Sequence, residues 1–167
     1  MIVAVISDTH SRALPRACIE RLEAADVILH AGDVATLDDL RALQALGKPV
    51  HAVHGNVDDA GVRARLPLQR TLDLDGVTIG MIHDAGPKTG RLPRLHRRFP
   101  AAHAVVFGHS HIPLHEQDPR TGFQIFNPGS PTDRRRQPHH TMGIATIAGG
   151  AIAFKVITLD DVSTSRV

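Results

Sequence analysis

Ile2-Val3-Ala4-Val5-Ile6-Ser7-Asp8-Thr9-His10 opens the chain with five apolar residues that run into a carboxylate and an imidazole. A short apolar run of this kind reads as a buried strand, and the polar residues behind it as a strand end handing over to a loop. The pattern recurs. Val27-Ile28-Leu29-His30 leads into Gly32-Asp33, and Pro49-Val50-His51-Ala52-Val53 leads into Gly55-Asn56-Val57-Asp58. Between these strands, residues 14–25 place Leu14, Cys18, Ile19 and Leu22 on one helical face. Residues 37–46 form a second helix, with Thr36 as N-cap and Gly47 as its stop. Strand, helix, strand, helix, strand implies a parallel α/β core.

The second half changes character. Residues 72–79 read as two strands around an Asp75-Gly76 turn, a strong hairpin signal. A short helix is expected over 91–98 and a buried strand over 103–107, ending on Gly108-His109-Ser110-His111. Leu114 to Glu116 and Phe123 to Phe126 bracket a turn at 118–122, and residues 142–148 and 151–159 flank Gly149-Gly150. The expected result is two sheets in one domain spanning residues 1–167, flanked by helices.

Composition narrows the function classes. With 167 residues, 42% hydrophobic and 22% charged, the chain can bury a core without staples. A single cysteine, Cys18, excludes an intrachain disulfide and reads as a buried, inert thiol. No apolar run approaches the ~20 residues of a membrane span, and Met1 leads straight into a strand pattern with no basic segment. No membrane association is expected, and the expected location is cytoplasmic. Five Phe with neither Tyr nor Trp offer little stacking surface for extended nucleic-acid strands. Twelve histidines supply many neutral metal ligands at physiological pH.

Chemistry-bearing residues follow successive expected strands: Asp8 and His10, Asp33, Asn56, His83, then His109 and His111. Ligands in open α/β sheets collect at the carboxyl ends of strands, so these seven groups are expected to meet at one point. Carboxylate, amide and imidazole are ligand types that borderline divalent metals take. Seven are too many for one zinc ion, which takes four. They suit two ions about 3.5–4 Å apart, with Asp33 as the bridging carboxylate.

The ordered series Asp8-x-His10, Gly32-Asp33, Gly55-Asn56-x-Asp58, His83 and Gly108-His109-x-His111 resembles the calcineurin-type metallophosphoesterase superfamily. The short length and Asn127-Pro128-Gly129-Ser130 resemble its small YfcE-like phosphodiesterase branch. The resemblance covers residues 1 to 160 or so. It implies an α/β fold (α+β in some schemes): a four-layer αββα sandwich of two mixed β-sheets flanked by helices, with a dinuclear site at one edge. By position it implies that Asp8, His10, Asp33 and His111 hold one divalent ion, and Asp33, Asn56, His83 and His109 the second. Mn²⁺ is favoured, with Fe, Zn, Ni or Co as alternatives. The implied reaction is hydrolysis of a small phosphoester, a phosphodiester above all, by a hydroxide bridging the metals, with Asp33, Asn56, His83 and His109 as catalytic ligands. Asn127 and Ser130 are expected to brace the ligand loops. Asn56, Arg134 and Arg135 are candidate contacts to phosphate oxygens, guanidinium forks matching that geometry. Homo-oligomers are common among related small enzymes.

Two departures stand out. Larger members place a histidine directly after the asparagine, where it can protonate the leaving oxygen; here that residue is Val57, which has no proton to give. His54 is a candidate donor in its place. Asp84 stands where the family carries glycine, and a turn-capping role is its simpler reading. The alternatives within enzymes are a phosphomonoesterase and a nuclease. Outside them stands a protein-interaction scaffold, since the retromer scaffold subunit shares this fold with a degraded metal site.

Overall fold

Alternation inside the first strand, β1 (Ile2–Ile6), sets the layering. A computed structural model of the chain describes residues 1–160. Val3 and Val5 of β1 face one hydrophobic layer while Ala4 and Ile6 face another, and all four are inaccessible to solvent. A strand buried on both faces needs apolar residues at every position, which explains the unbroken run.

β1 pairs in parallel with β2 (Val27–His30), and β2 with β3 (Val50–Ala52). On its other side β1 pairs antiparallel with β9 (Thr141–Ala148), which pairs with β10 (Ala151–Thr158). The second sheet runs β4 (Gln69–Leu74), β5 (Val77–Ile82), β6 (Ala104–Val106), β8 (Gln124–Asn127), β7 (Leu114–Gln117). Its β5, β6 and β8 are parallel and its two edge strands antiparallel. Val3, Val5 and Leu29 of the first sheet meet Ile79, Met81 and Phe126 of the second in one core. Helices α1 (Arg16–Ala24) and α2 (Leu37–Gln44) cover the outer face of the first sheet through Cys18, Leu22 and Leu43. Leu95 of α4 (Arg91–Arg98), with Phe99, covers the second. The fold is the αββα sandwich of two mixed sheets that the family resemblance implies.

Local details follow from sequence. Thr36 caps α2 in a capping box closed by Asp39. The turn between Leu74 and Val77 takes Asp75 and Gly76 at φ 53° and 81°, as a primed two-residue hairpin requires. The hairpin is longer than expected, reaching from residue 69 to 82. One helix, α3 (Ala60–Arg65), has no counterpart in the sequence reading: only Val62 is buried, so it shows no apolar period. No helix among the described residues is long and apolar enough to cross a membrane.

Candidate metal centre

Five of the seven candidate ligands have left-handed backbone: Asp8 (φ 58°), His10 (51°), Asp33 (58°), His109 (68°) and His111 (58°). Asp and His tolerate this region better than most residues, yet each such position still costs about 1 kcal/mol or more. Cross-strand hydrogen bonds hold the loops there, from Asp8 N to Gly32 O at 3.0 Å and from His10 N to Asp33 O at 3.2 Å. Parallel strands end together, so loops from both sheets turn inward at one edge. Gly32, at φ 100°, lets the His83 ring approach; a Cβ there would lie 2.6 Å from His83 Nδ1. A Cβ on Gly108 would fall 2.7 Å from Asp8 Oδ2 and overlap Ser7 Oγ.

The two carboxylates are arranged alike. Asp8 Oδ2 accepts the backbone N–H of His109 at 3.0 Å, and Asp33 Oδ1 accepts that of Val57 at 3.0 Å. Each therefore keeps its other oxygen for the centre. Asp8 Oδ1 is buried with no hydrogen-bond partner and lies 3.4 Å from His111 Nε2, 3.8 Å from His10 Nε2 and 3.9 Å from His83 Nε2. Asp33 Oδ2 lies 3.2 Å from His83 Nε2 and 3.8 Å from His10 Nε2.

The imidazoles are oriented from behind. His83 Nδ1 donates to Ala31 O at 2.8 Å, and His111 Nδ1 donates to Asp133 O at 2.5 Å. A carbonyl only accepts, so the proton sits on Nδ1 in both rings and Nε2 presents a lone pair to the centre. His10 Nε2 and His111 Nε2 stand 3.2 Å apart. Asn56 Oδ1 is 3.1 Å from His83 Nε2 and 2.9 Å from His109 Nδ1. Lone pairs thus converge on a space that only protons or cations can make favourable. Asp8, His10 and His111 bring ligand atoms within 4.8 Å of one another, as do Asp8, Asp33 and His83. Carboxylate plus imidazole suits Mn, Fe, Co, Ni or Zn, so the residues fit a divalent transition metal.

Charge in the centre has the matching sign. Burial opposes ionisation of Asp33, but His83, the Val57 amide and His10 outweigh it and hold its carboxyl below the ordinary value. Burial also opposes charge on His83 and His111; the facing carboxylates, Asp33 for one and Asp8 for both, prevail and raise their pKa. His10 goes the other way, burial outweighing Asp33 and Asp8. Asp8, Asp33, His83 and His111 are buried, whereas Asn56 and His109 are exposed. The centre is closed on one side and open on the other.

A ring of polar contacts holds these loops. Ser130 Oγ donates to Asp8 O at 2.8 Å, and Asn127 Nδ2 to Gly108 O at 2.9 Å, so both brace the ligand loops as expected. Asp58, left without a role in the sequence reading, is a third brace. Its buried carboxylate accepts from the backbone N–H groups of Asp33 (3.1 Å), Ala35 (2.6 Å) and Gly55 (2.6 Å). The sequence signal was its place two residues after Asn56 in a tight loop. His30 accepts from Gly32 N at 3.2 Å through Nδ1, so its Nε2 donates to Thr9 Oγ1 at 3.0 Å. Asp84 caps its own turn, accepting from Gly86 N at 2.7 Å.

The candidate substrate contacts separate. Asn56 borders the cluster. Arg134 Nη1 donates to Gln137 O at 2.6 Å, within its own turn. Arg135 is exposed, at φ 48°, and near enough to His111 to oppose its charge. Val57 is 46% exposed beside Asn56, and His54 is half-buried with Nδ1 3.4 Å from Gly55 O.

Residues 1–150 match the family model of the calcineurin-like phosphoesterase superfamily domain. The chain is 37% identical over 139 residues to a probable metallophosphoesterase of Methanocaldococcus jannaschii, covering 79% of this chain and 69% of that protein. It is 33% identical over 140 residues to another from Methanothermobacter thermautotrophicus, covering 79% and 78%. Two solved structures share the fold at lower identity. One is described as a novel archaeal phosphodiesterase (TM-score 0.72, 18% identity, 94% of this chain and 100% of that one). The other is Vps29 of Entamoeba histolytica complexed with zinc (TM-score 0.74, 20% identity, 96% and 100%). The convergent donor set and these relationships agree: the chain belongs to the calcineurin-like phosphoesterase superfamily.

Proposed function

We propose that this metallophosphoesterase is a phosphodiesterase that works with two divalent cations. The observation that carries the reading is the convergence of Asp8 Oδ1, Asp33 Oδ2 and the Nε2 atoms of His10, His83 and His111, with two rings fixed as Nδ1–H tautomers. Asp8, His10, Asp33 and His111 would hold one cation, and Asp33, Asn56, His83 and His109 the other. Bound there, two divalent ions supply a lowered pKa for water and neutralisation of phosphate oxygens. Mn²⁺ is the favoured pair, with Fe, Zn, Ni and Co as alternatives.

The chain's own residues fix the geometry. Asp33 stands between the two halves, with one oxygen anchored by Val57 N and the other free. Asn56 and His109 occupy the open side, where a phosphate group approaches. Arg135, exposed and close enough to influence His111, is the candidate guanidinium for a phosphate oxygen, whereas Arg134 is engaged by Gln137. Val57 donates no proton, so leaving groups that depart as stable anions are favoured. The archaeal phosphodiesterase of the same fold supports the diester reading.

The likeness to Vps29 supports a second reading, a non-catalytic interaction scaffold. Metal binding does not separate the two, and turnover does. The test compares bis-p-nitrophenyl phosphate with p-nitrophenyl phosphate on the chain loaded with each metal. Faster diester hydrolysis stimulated by Mn²⁺ supports the proposal. Preference for the monoester overturns the diesterase reading, and absence of turnover with every metal favours the scaffold.

A further inference from the structure

Behind the metal loop, between the outer face of the first sheet and helices α1 and α2, lies a cavity of about 340 Å³. Its walls are mainly apolar, Ile6, Ile19, Val34, Leu43 and Leu46, with Thr9 and His30 also lining it. Elsewhere in this layer Cys18, Leu22 and Ile28 pack to complete burial. Around the cavity Leu14, Ile19 and Leu46 stay half-exposed. A hollow of this volume falls in the range of small-molecule sites.

Its mouth carries Ser11, Arg12 and Asp39. One oxygen of the Asp39 carboxylate is already engaged. Its Oδ2 accepts from Ser11 Oγ, from Thr36 N at 3.2 Å and from Thr36 Oγ1 at 2.5 Å. Arg12 is not. Nη1 donates to Thr132 O at 3.2 Å and lies 3.6 Å from Asp133 Oδ1, but Nε and Nη2 make no hydrogen bond among the described residues. The side chain is 57% exposed. Arg12 therefore lines an apolar hollow with two guanidinium nitrogens unbonded among the described residues.

We infer that this cavity binds a small amphipathic monoanion, with an alkyl or aryl body among the leucines and isoleucines and one anionic head on Arg12. Shape and charge agree, because the apolar walls take the body and the guanidinium gives the head a charge-assisted hydrogen bond. The cavity also touches Thr9, which sits between Asp8 and His10 and bonds His30. An occupant thus rests against the reverse side of the metal loop.

The test follows the methyl resonances of Ile19, Leu43 and Leu46 in the metal-loaded full chain during titration with octanoate, with 1-octanol as the uncharged control. Ala42, exposed on α2 and lining the cavity, is the place to block it. Octanoate is expected to shift these methyls saturably, one molecule per chain, in the millimolar range. Ala42→Trp should abolish the shifts while leaving the methyl of Ile79, in the core between the sheets, unmoved. Arg12→Met should weaken octanoate by about threefold to fivefold, the scale of an exposed ion pair, and leave octanol unchanged. No saturable shift, or the same shift in Ala42→Trp, overturns the site. Equal weakening of octanoate and octanol in Arg12→Met overturns the anionic head.

Discussion

His83 Nε2 stands 3.2 Å from Asp33 Oδ2 while the other nitrogen of the same ring donates to Ala31 O at 2.8 Å. Two lone pairs are therefore held face to face in a buried site, and a cation is what reconciles them. Asp33→Asn removes the charge and half the oxygen donors with little change in shape. It is expected to leave fewer than two metal ions per chain and to slow diester hydrolysis by about a hundredfold or more, beyond the usual cost of losing an outer partner. Elemental analysis beside rate measurement checks this; unchanged metal content would remove Asp33 from the ligand set.

Asp58 offers no atom to the centre itself, yet three backbone N–H groups, that of Asp33 among them, end on its carboxylate. Asp58→Ala leaves those buried donors unpaired, so a loss of about 3 kcal/mol or more is expected in denaturant unfolding. Metal affinity should fall by about tenfold to a hundredfold, because the Asp33 and Asn56 loops lose their common anchor. Asp58→Asn, which keeps one acceptor, should fall between the two.

Val57 is exposed beside Asn56 and offers no proton. Val57→His places an imidazole there. Hydrolysis of an alkyl p-nitrophenyl diester, whose departing nitrophenolate needs no proton, should change little. Cleavage of a dialkyl-type diester should rise by about a hundredfold if the imidazole reaches the leaving oxygen, the lower end of general acid effects. Equal change for both substrates would contradict a leaving-group limitation.

Burial, working against the pull of Asp58 and Asp8, lowers the pKa of His30 from 6.5 to about 4. The unfolded chain takes up a proton below pH 6.5 that the folded chain refuses until about 4. Stability is therefore lost as pH falls through that window, by up to roughly 3 kcal/mol. Comparing unfolding free energies of wild type and His30→Gln across the window isolates this contribution from the other histidines. The variant should show the shallower pH slope, and identical slopes would contradict a neutral His30.

The sequence made the layering legible because β1, β2 and β3, the parallel strands of the first sheet, are short, mostly apolar and each followed by a ligand. Asp8, Asp33, Asn56, His83 and His109 could be placed by strand ends alone. What it hid was direction. Nothing in Asp8-Thr9-His10 announces left-handed φ at both ends of the triplet, which is what turns both side chains inward. Arg134 and Arg135 look equivalent in sequence, but a turn sends one to Gln137 and leaves the other exposed. Helix α3 escaped because a six-residue helix with one buried side chain has no period to detect.

The most direct test of the two-cation phosphodiesterase is the rate of bis-p-nitrophenyl phosphate hydrolysis as Mn²⁺ is added stepwise to metal-free protein, with bound ions counted in the same samples. Activity is expected to follow the second bound ion, and Asn56→Ala and His83→Ala are expected to stop short of it. Full activity with one ion per chain, or unchanged rates in both variants, would contradict it.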